Sequence, residues 1–234
     1  MVGKKYSMEN DILIRNDSID LSNSSLWDYE VRHISSKIGK QYIKDNHYSH
    51  GIHNGAMCFG LIYKDTLIGV CAFATPCSEN VCGSIFGYEF RRSVTELHRL
   101  HILDGTPKNA ESYFIVRALK GLKEYKPKYN AVITFADSTV GHTGIIYKAT
   151  SAYRIGKTKS SATFYLDKTN RLRHPRQNGV NITKEDALSR GWEPIKRDFK
   201  YRYLYLLPNN KRHKRDLVKL CKYDLKNNSE YNNK

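Results

Sequence analysis

From Thr95 to Asp137 the chain reads as strand, turn, helix and strand, and this unit limits the fold more than any other stretch. Thr95–Leu103 alternates, with Leu97, Arg99, His101 and Leu103 on one face and Glu96, His98, Leu100 and Ile102 on the other. Neither face is cleanly apolar, and a strand that places Arg and His beside Leu predicts an interior cleft rather than a plain core. Asp104-Gly105-Thr106-Pro107-Lys108-Asn109 is a turn that opens a helix with a capping residue near its start. Ile115, Ala118, Leu119 and Leu122 form that helix's buried stripe. Ala131–Ala136 is then a short apolar strand closed by Asp137.

The flanking sequence supplies partners for this unit. Ala56–Tyr63 and Leu67–Ala74 are β-rich runs joined by Lys64-Asp65-Thr66, a hairpin. Val31, Ile34, Ile38 and Tyr42 predict a helix over Trp27–Asn46, and Ile145, Ile146, Ala149 and Ala152 predict another over Gly141–Tyr153. Strands are expected at Thr163–Leu166 and at Tyr201–Leu207, the latter closed by Pro208, and a short basic helix at Lys211–Tyr223. Pro76–Phe90 is the least legible stretch, and residues 1–25 form a polar, weakly ordered lead-in. Hairpin, strand, turn–helix, strand, helix and strand in this order make an α/β protein with a mixed sheet.

Several classes are excluded. No apolar run approaches the roughly 20 residues of a bilayer span, and Met1–Asn10 is polar and lacks the core of a secretory signal. Five irregularly spaced cysteines (Cys58, Cys71, Cys77, Cys82, Cys221) point to a reducing compartment rather than a disulfide framework. The net charge of +16 is uneven: residues 1–153 carry +3, residues 154–234 carry +13. A near-neutral body with a basic final third fits a polyphosphate partner, nucleic acid first; a solvated basic face is the plainer reading.

Individual residues carry competing readings. The strand–turn–helix unit aims backbone N–H groups and a helix dipole at one point, which favours a pyrophosphate or merely caps a structural helix. Arg99 among apolar neighbours needs an anion, either a phosphate or a carboxylate such as Glu96 or Asp137. Asp137 stands at the carboxyl end of a strand, where α/β ligand crevices form, yet it also suits an N-cap. Arg171, Arg173, His174 and Arg176 surround Pro175, and Lys200, Arg202, Lys211, Arg212, Lys214 and Arg215 lie around the aromatic strand; these are the expected phosphate contacts. Tyr201, Tyr203 and Tyr205 either stack on an extruded base or fill the core. His47, His50 and His53 stand three apart, but Gly51 and Gly55 disfavour a helix through them, and no metal ligands are assigned.

The strand–turn–helix, the next strand and Ile146-Tyr147-Lys148-Ala149 resemble the acyl-CoA core of GNAT N-acetyltransferases. A closer series runs in order over roughly residues 45–208: His47-Tyr48-Ser49, Glu96-Leu97-His98-Arg99-Leu100, Pro107-Lys108-Asn109-Ala110-Glu111-Ser112, Phe135-Ala136-Asp137, Gly141-His142-x-Gly144-x-Ile146-Tyr147 and Tyr201-Arg202-Tyr203-Leu204-Tyr205. These blocks resemble the phage Mom DNA-modification family. The resemblance implies a GNAT-like mixed, mostly antiparallel sheet flanked by helices, with residues 26–208 as the catalytic domain, residues 154–208 as its DNA-facing part and residues 209–234 as a basic extension. It implies a transferase that converts adenine in double-stranded phage DNA to an N6-carbamoylmethyl form, in the cytoplasm of an infected bacterium, so that host restriction enzymes are resisted. It assigns catalytic roles to Asp137, Tyr147, Arg99, His47 and Tyr48, and cofactor contacts to Ser112, Asn109 and Lys108. Acetyl-CoA or a related acyl-CoA is the implied cofactor, although the GNAT pyrophosphate signature Gln/Arg-x-x-Gly-x-Gly/Ala is missing and Gly105 is the only glycine of the turn. Iron is linked with the family as well, and these residues neither support nor exclude it. An ordinary GNAT N-acetyltransferase acting on a protein or small amine, and a non-catalytic nucleic-acid-binding protein, are the alternatives.

Overall fold

A computed structural model describes residues 19–47, 50–76, 78–159, 163–173, 176–177, 180–196 and 198–225. Expectations at Tyr48, Ser49, Cys77, His174 and Pro175, and in most of the amino-terminal lead-in, lie outside the described residues. The strands are β1 Glu30–Ile34, β2 Met57–Tyr63, β3 Thr66–Ala74, β4 Val94–Ile102, β5 Ala131–Asp137, β6 Tyr153–Lys157, β7 Thr163–Leu166, β8 Leu172–Arg173, β9 Arg176–Gln177, β10 Val180–Asn181, β11 Glu193–Lys196 and β12 Lys200–Leu206. The α-helices are α1 Ser36–Asn46, α2 Glu79–Phe86, α3 Ala110–Tyr125, α4 Ile145–Ala149, α5 Lys184–Ser189 and α6 Lys211–Leu220.

Seven strands form the main sheet in the order β1-β2-β3-β4-β5-β12-β6. All neighbours are antiparallel except β4 and β5, which the α3 crossover makes parallel. This is the mixed, mostly antiparallel sheet flanked by helices that the resemblance implies. The hairpin β2–β3 turns at Lys64 and Asp65, both at positive φ (45° and 60°), the geometry of a two-residue hairpin turn. A three-stranded sheet (β11-β7-β8) and the β9–β10 pair are inserted between β6 and β12.

Period-2 alternation sends one set of side chains to α3 and the other to the opposite face. Phe59, Leu61, Ile68, Cys71, Phe73 and Val132 pack with Phe114, Ile115, Ala118 and Leu122 of α3. On the other face Cys58, Ile62, Leu67, Val70 and Ala72 pack against Ile38, Tyr42 and Ile43 of α1. Farther along that face, Ala131, Ile133 and Leu204 meet Ile85 and Phe86 of α2 and Leu217 of α6.

Two predicted helices are shorter than their periodicity. Over Trp27–Asn46 the first half is β1, paired with β2 from Glu30↔Ile62 to Ile34↔Cys58, and α1 begins only after Ser35, whose hydroxyl accepts from Ile38 N at 3.3 Å. Sheet pairing overrides a helical spacing that Val31 and Ile34 satisfy by coincidence. Over Gly141–Tyr153 only α4 is α-helical. Gly141 and Gly144 both take left-handed conformations (φ 78° and 77°), which hold the chain out of helix before Ile145.

β4 also departs from strict alternation. Phe73 pairs with Leu97 but Ala72 with Arg99, so His98 is an extra residue, a β-bulge. After it the faces exchange: Leu100 and Ile102 join Leu97 against the α3 core, while Arg99 and His101 turn toward the face that carries α1.

Candidate active site

Pairing between β4 and β5 stops after Glu96↔Ile133. Thr134 Oγ1, buried, donates to Leu97 O at 3.2 Å beside the point where the strands part. Beyond it the two strands diverge around a cavity of about 520 Å³. The gap is lined from both sides of the sheet: His47 at the end of α1 belongs to one face, and Gly144 to Tyr147 at the start of α4 to the other. β4 contributes Glu96 to His101, β5 contributes Phe135 to Asp137, and β12 contributes Lys200.

Asp137 is 6% exposed. Oδ1 accepts from Thr139 N at 3.1 Å, and Lys200 Nζ lies 3.7 Å from Oδ2, directly across the β5–β12 pair. One oxygen thus caps the turn at Ser138–Val140, as the N-cap reading expects, while the other meets a cation in the cavity. Arg99 donates from Nε to Gly51 O at 2.9 Å and from Nη1 to His98 O at 2.7 Å, so backbone carbonyls fix its guanidinium. His47 is buried; desolvation, helped by the Arg99 charge, pushes its imidazole down to about 3, and it is neutral at neutral pH. His98 Nδ1 lies 3.5 Å from Glu96 Oε1. Tyr147 packs on the ring of Tyr203, centroids 5.4 Å apart, and Tyr203 donates to Thr143 O at 2.6 Å, which anchors the loop before α4.

Of the residues that the sequence assigns to the site, the cavity gathers Asp137, Tyr147, Arg99 and His47; Tyr48 lies outside the described residues. Lys108, Asn109 and Ser112 stand apart from its lining, at the start of α3, with Asn109 left-handed at the helix entry. Residues 28–226 match the Mom protein family. This chain belongs to that family. It is 30% identical over 203 residues to the "Methylcarbamoylase mom" of Escherichia phage Mu, a match that covers 82% of this chain and 80% of that protein. Solved structures similar to this Mom protein include an N-acetyltransferase from Staphylococcus aureus Mu50 (TM-score 0.45, 12% identity, 76% of this chain and 97% of that one) and a GNAT-family acetyltransferase from Streptococcus pneumoniae (TM-score 0.47, 9% identity, 76% and 99%). Membership makes the chain an enzyme of the transferase type.

The basic residues of this Mom protein divide into two groups. Lys200, expected on DNA, faces Asp137 in the cavity instead. Arg202 donates to Ser84 Oγ at 3.2 Å and lies over the Tyr223 ring, so it packs β12 against α2. Arg173 pairs with Asp167, donating from Nε to Oδ2 at 2.8 Å. Arg171 is exposed after β7, Lys211 and Arg212 are exposed in the first turn of α6, and Arg176 opens β9. Tyr203 and Tyr205 are core residues, while Tyr201 is half-buried beneath Arg154, 4.2 Å from its ring centroid.

The cavity also holds residues that the sequence does not assign to it, namely Glu96, His98, His101 and His142. The polar residues of β4 are the available signal. Among the described residues no group of three His, Cys, Asp or Glu is placed to hold a metal, and none of the described helices is long and apolar enough to cross a membrane.

Proposed function

We propose that this Mom protein transfers a carbamoylmethyl group to N6 of adenine in double-stranded DNA, and that the modified phage DNA resists host restriction endonucleases in the infected bacterial cytoplasm. The observation that carries the reading is the buried Asp137 carboxylate, faced by the half-exposed Lys200 ammonium, in a gap lined from both faces of the sheet. Such a gap lets a donor enter from one side and an acceptor from the other. N6 is a poor nucleophile because its lone pair is delocalised into the ring, so the site must hold it close and relieve it of a proton. A base in duplex DNA has to leave the stack to reach such a cavity. Arg171, Lys211 and Arg212, exposed on the basic third, suit phosphate contacts that position DNA without reading its sequence.

An acyl-CoA-class donor fits the place where β4, the turn and the amino end of the 16-residue helix α3 meet. Lys108, Asn109 and Ser112 would hold its diphosphate there, where the backbone N–H groups and the helix dipole favour an anion. Bound in that way, such a group would supply a thioester-activated two-carbon unit. The product has an N–CH₂ bond rather than an amide, so simple acetylation does not account for it, and the donor must present a methylene carbon to N6. Asp137 and Lys200 orient the amine, and Arg99, fixed by carbonyls, lines the opposite wall. Among the described residues no group of three His, Cys, Asp or Glu would hold iron, and no step is assigned to it.

The test is mass spectrometry of nucleosides from DNA made in cells with and without the protein. Carbamoylmethyladenine is expected with the wild type and not with Asp137→Asn, which keeps the Thr139 cap and removes the charge. An unchanged adenine profile with a folded wild-type protein refutes the reading.

A further inference from the structure

We infer that His101 is the proton acceptor of this site and that Tyr42 is the residue that positions it. The inference rests on the adenine reading for the identity of the acceptor, but its geometry stands by itself.

A tyrosine hydroxyl has a single proton to donate, and Tyr42 gives it to Ile68 O at 2.8 Å. His101 Nδ1 lies 3.1 Å from the same hydroxyl oxygen. With the hydroxyl hydrogen committed to a carbonyl, this second contact is a hydrogen bond only if Nδ1 carries the proton and the tyrosine oxygen accepts it. Tyr42 is 2% exposed, and burial holds its phenol far above the ordinary value, so it remains a hydroxyl. The neutral His101 ring is thus fixed as the Nδ1–H tautomer, with a lone pair on Nε2 at the opposite side of the ring.

That ring lines the cavity. The bulge at His98 turns it toward α1. The groups around it are Tyr42 and His47 from α1, the latter with ring centroids 6.1 Å away, Arg99 on its own strand, and Asp104 in the turn after β4. Burial lowers the imidazole below its ordinary value, and Asp104 opposes that in part. His101 is therefore unprotonated at neutral pH and ready to take a proton. The Asp137 carboxylate is already engaged by Thr139 N–H and the Lys200 ammonium. Accepting a hydrogen bond from the N6 amine suits it.

In the transfer the N6–H bond breaks and its proton passes to Nε2, giving an imidazolium. The nitrogen electron pair forms the N6–C bond to the methylene of a carbamoylmethyl donor. The bond from that carbon to its carrier breaks, and the carrier leaves with the electron pair. His101 afterwards returns its proton to solvent.

His101→Asn separates chemistry from structure: its amide nitrogen takes the place of Nδ1 and donates to Tyr42, but no basic nitrogen remains. Adenine modification is expected to fall about 100-fold or more, with DNA affinity and thermal unfolding unchanged. Long-range ¹H–¹⁵N spectra should show wild-type His101 as the Nδ1–H form, and Tyr42→Phe should shift it toward Nε2–H and lower kcat more than it changes KM. A His101→Asn variant as active as wild type, or a wild-type ring in the Nε2–H form, overturns the assignment. A folded wild-type protein that leaves adenine untouched refutes the adenine reading instead, and the tautomer then decides the geometry alone.

Discussion

Gly144 is the residue on which the far wall of the cavity turns, and its replacement by alanine has a cost that can be worked out. Its φ of 77° lies in the left-handed region, where an L side chain costs about 1–2 kcal/mol. A Cβ there would sit 2.3 Å from Tyr203 Cε2 and 2.6 Å from its Cζ. That ring cannot swing aside, because it is fully buried and its hydroxyl donates to Thr143 O. Overpacking of this kind adds roughly 1–3 kcal/mol. Gly144→Ala should therefore destabilise the protein by about 2–5 kcal/mol, a fall in Tm of roughly 5–15 °C for a chain this size. Gly141→Ala is the control, with nearly the same φ (78°) and no atom within 4 Å of the added carbon. It should show the backbone cost alone. Thermal unfolding of both variants by circular dichroism measures the difference. If Gly144→Ala costs no more than Gly141→Ala, Tyr203 does not brace the loop as described.

Two other perturbations report on charge. The pKa of His47 is about 3 in the folded chain against about 6.5 when unfolded, so below pH 6.5 the unfolded state takes up a proton that the native state refuses. Its contribution is complete above that pH and is lost on acidification toward pH 3, by up to about 1.4 kcal/mol per pH unit; His101 acts in the same direction. Urea denaturation from pH 7 to pH 4.5 should show this slope, and His47→Asn should flatten it; an equal slope in the variant refutes the assignment. For DNA, Lys211→Gln with Arg212→Gln should reduce the slope of log affinity against log salt by about 2 if both residues contact phosphates. An unchanged slope in filter-binding titrations removes α6 from the interface.

The parts of the fold that are legible in the sequence are those where local pattern and tertiary pairing agree. The Lys64-Asp65 hairpin, the α3 stripe and the apolar run before Asp137 satisfy a turn, a helix face and a buried strand whatever surrounds them. Trp27–Asn46 fails because Val31 and Ile34 have a helical spacing, yet in β1 they point to opposite faces of the sheet, one into each core, and only pairing with β2 sets that. β4 fails more instructively. Its mixed faces signal a cleft, but strict alternation gives the residues the wrong partners, because a bulge inserts His98 and exchanges the faces beyond it. No one-strand pattern contains that information, since a bulge is defined by the register of the neighbouring strand.

Among the basic residues the same limit appears as a matter of neighbours. A lysine on a basic strand has no property of its own that distinguishes a phosphate contact from a counter-ion. Lys200 becomes a counter-ion because β12 runs antiparallel to β5 with Lys200 directly opposite Asp137. That register places the ammonium 3.7 Å from a carboxylate that is 6% exposed. A buried carboxylate left without such a cation would bear an unfavourable desolvation cost. The positive charge of the final third thus has two uses. Lys200 holds the charge of Asp137 inside the cavity, and the exposed Arg171, Lys211 and Arg212 remain available to a polyanion outside it. If so, neutralising Lys200 disturbs the site itself, whereas neutralising Lys211 and Arg212 weakens only the approach of the substrate. The +13 of residues 154–234 therefore overstates the charge available to a polyanion.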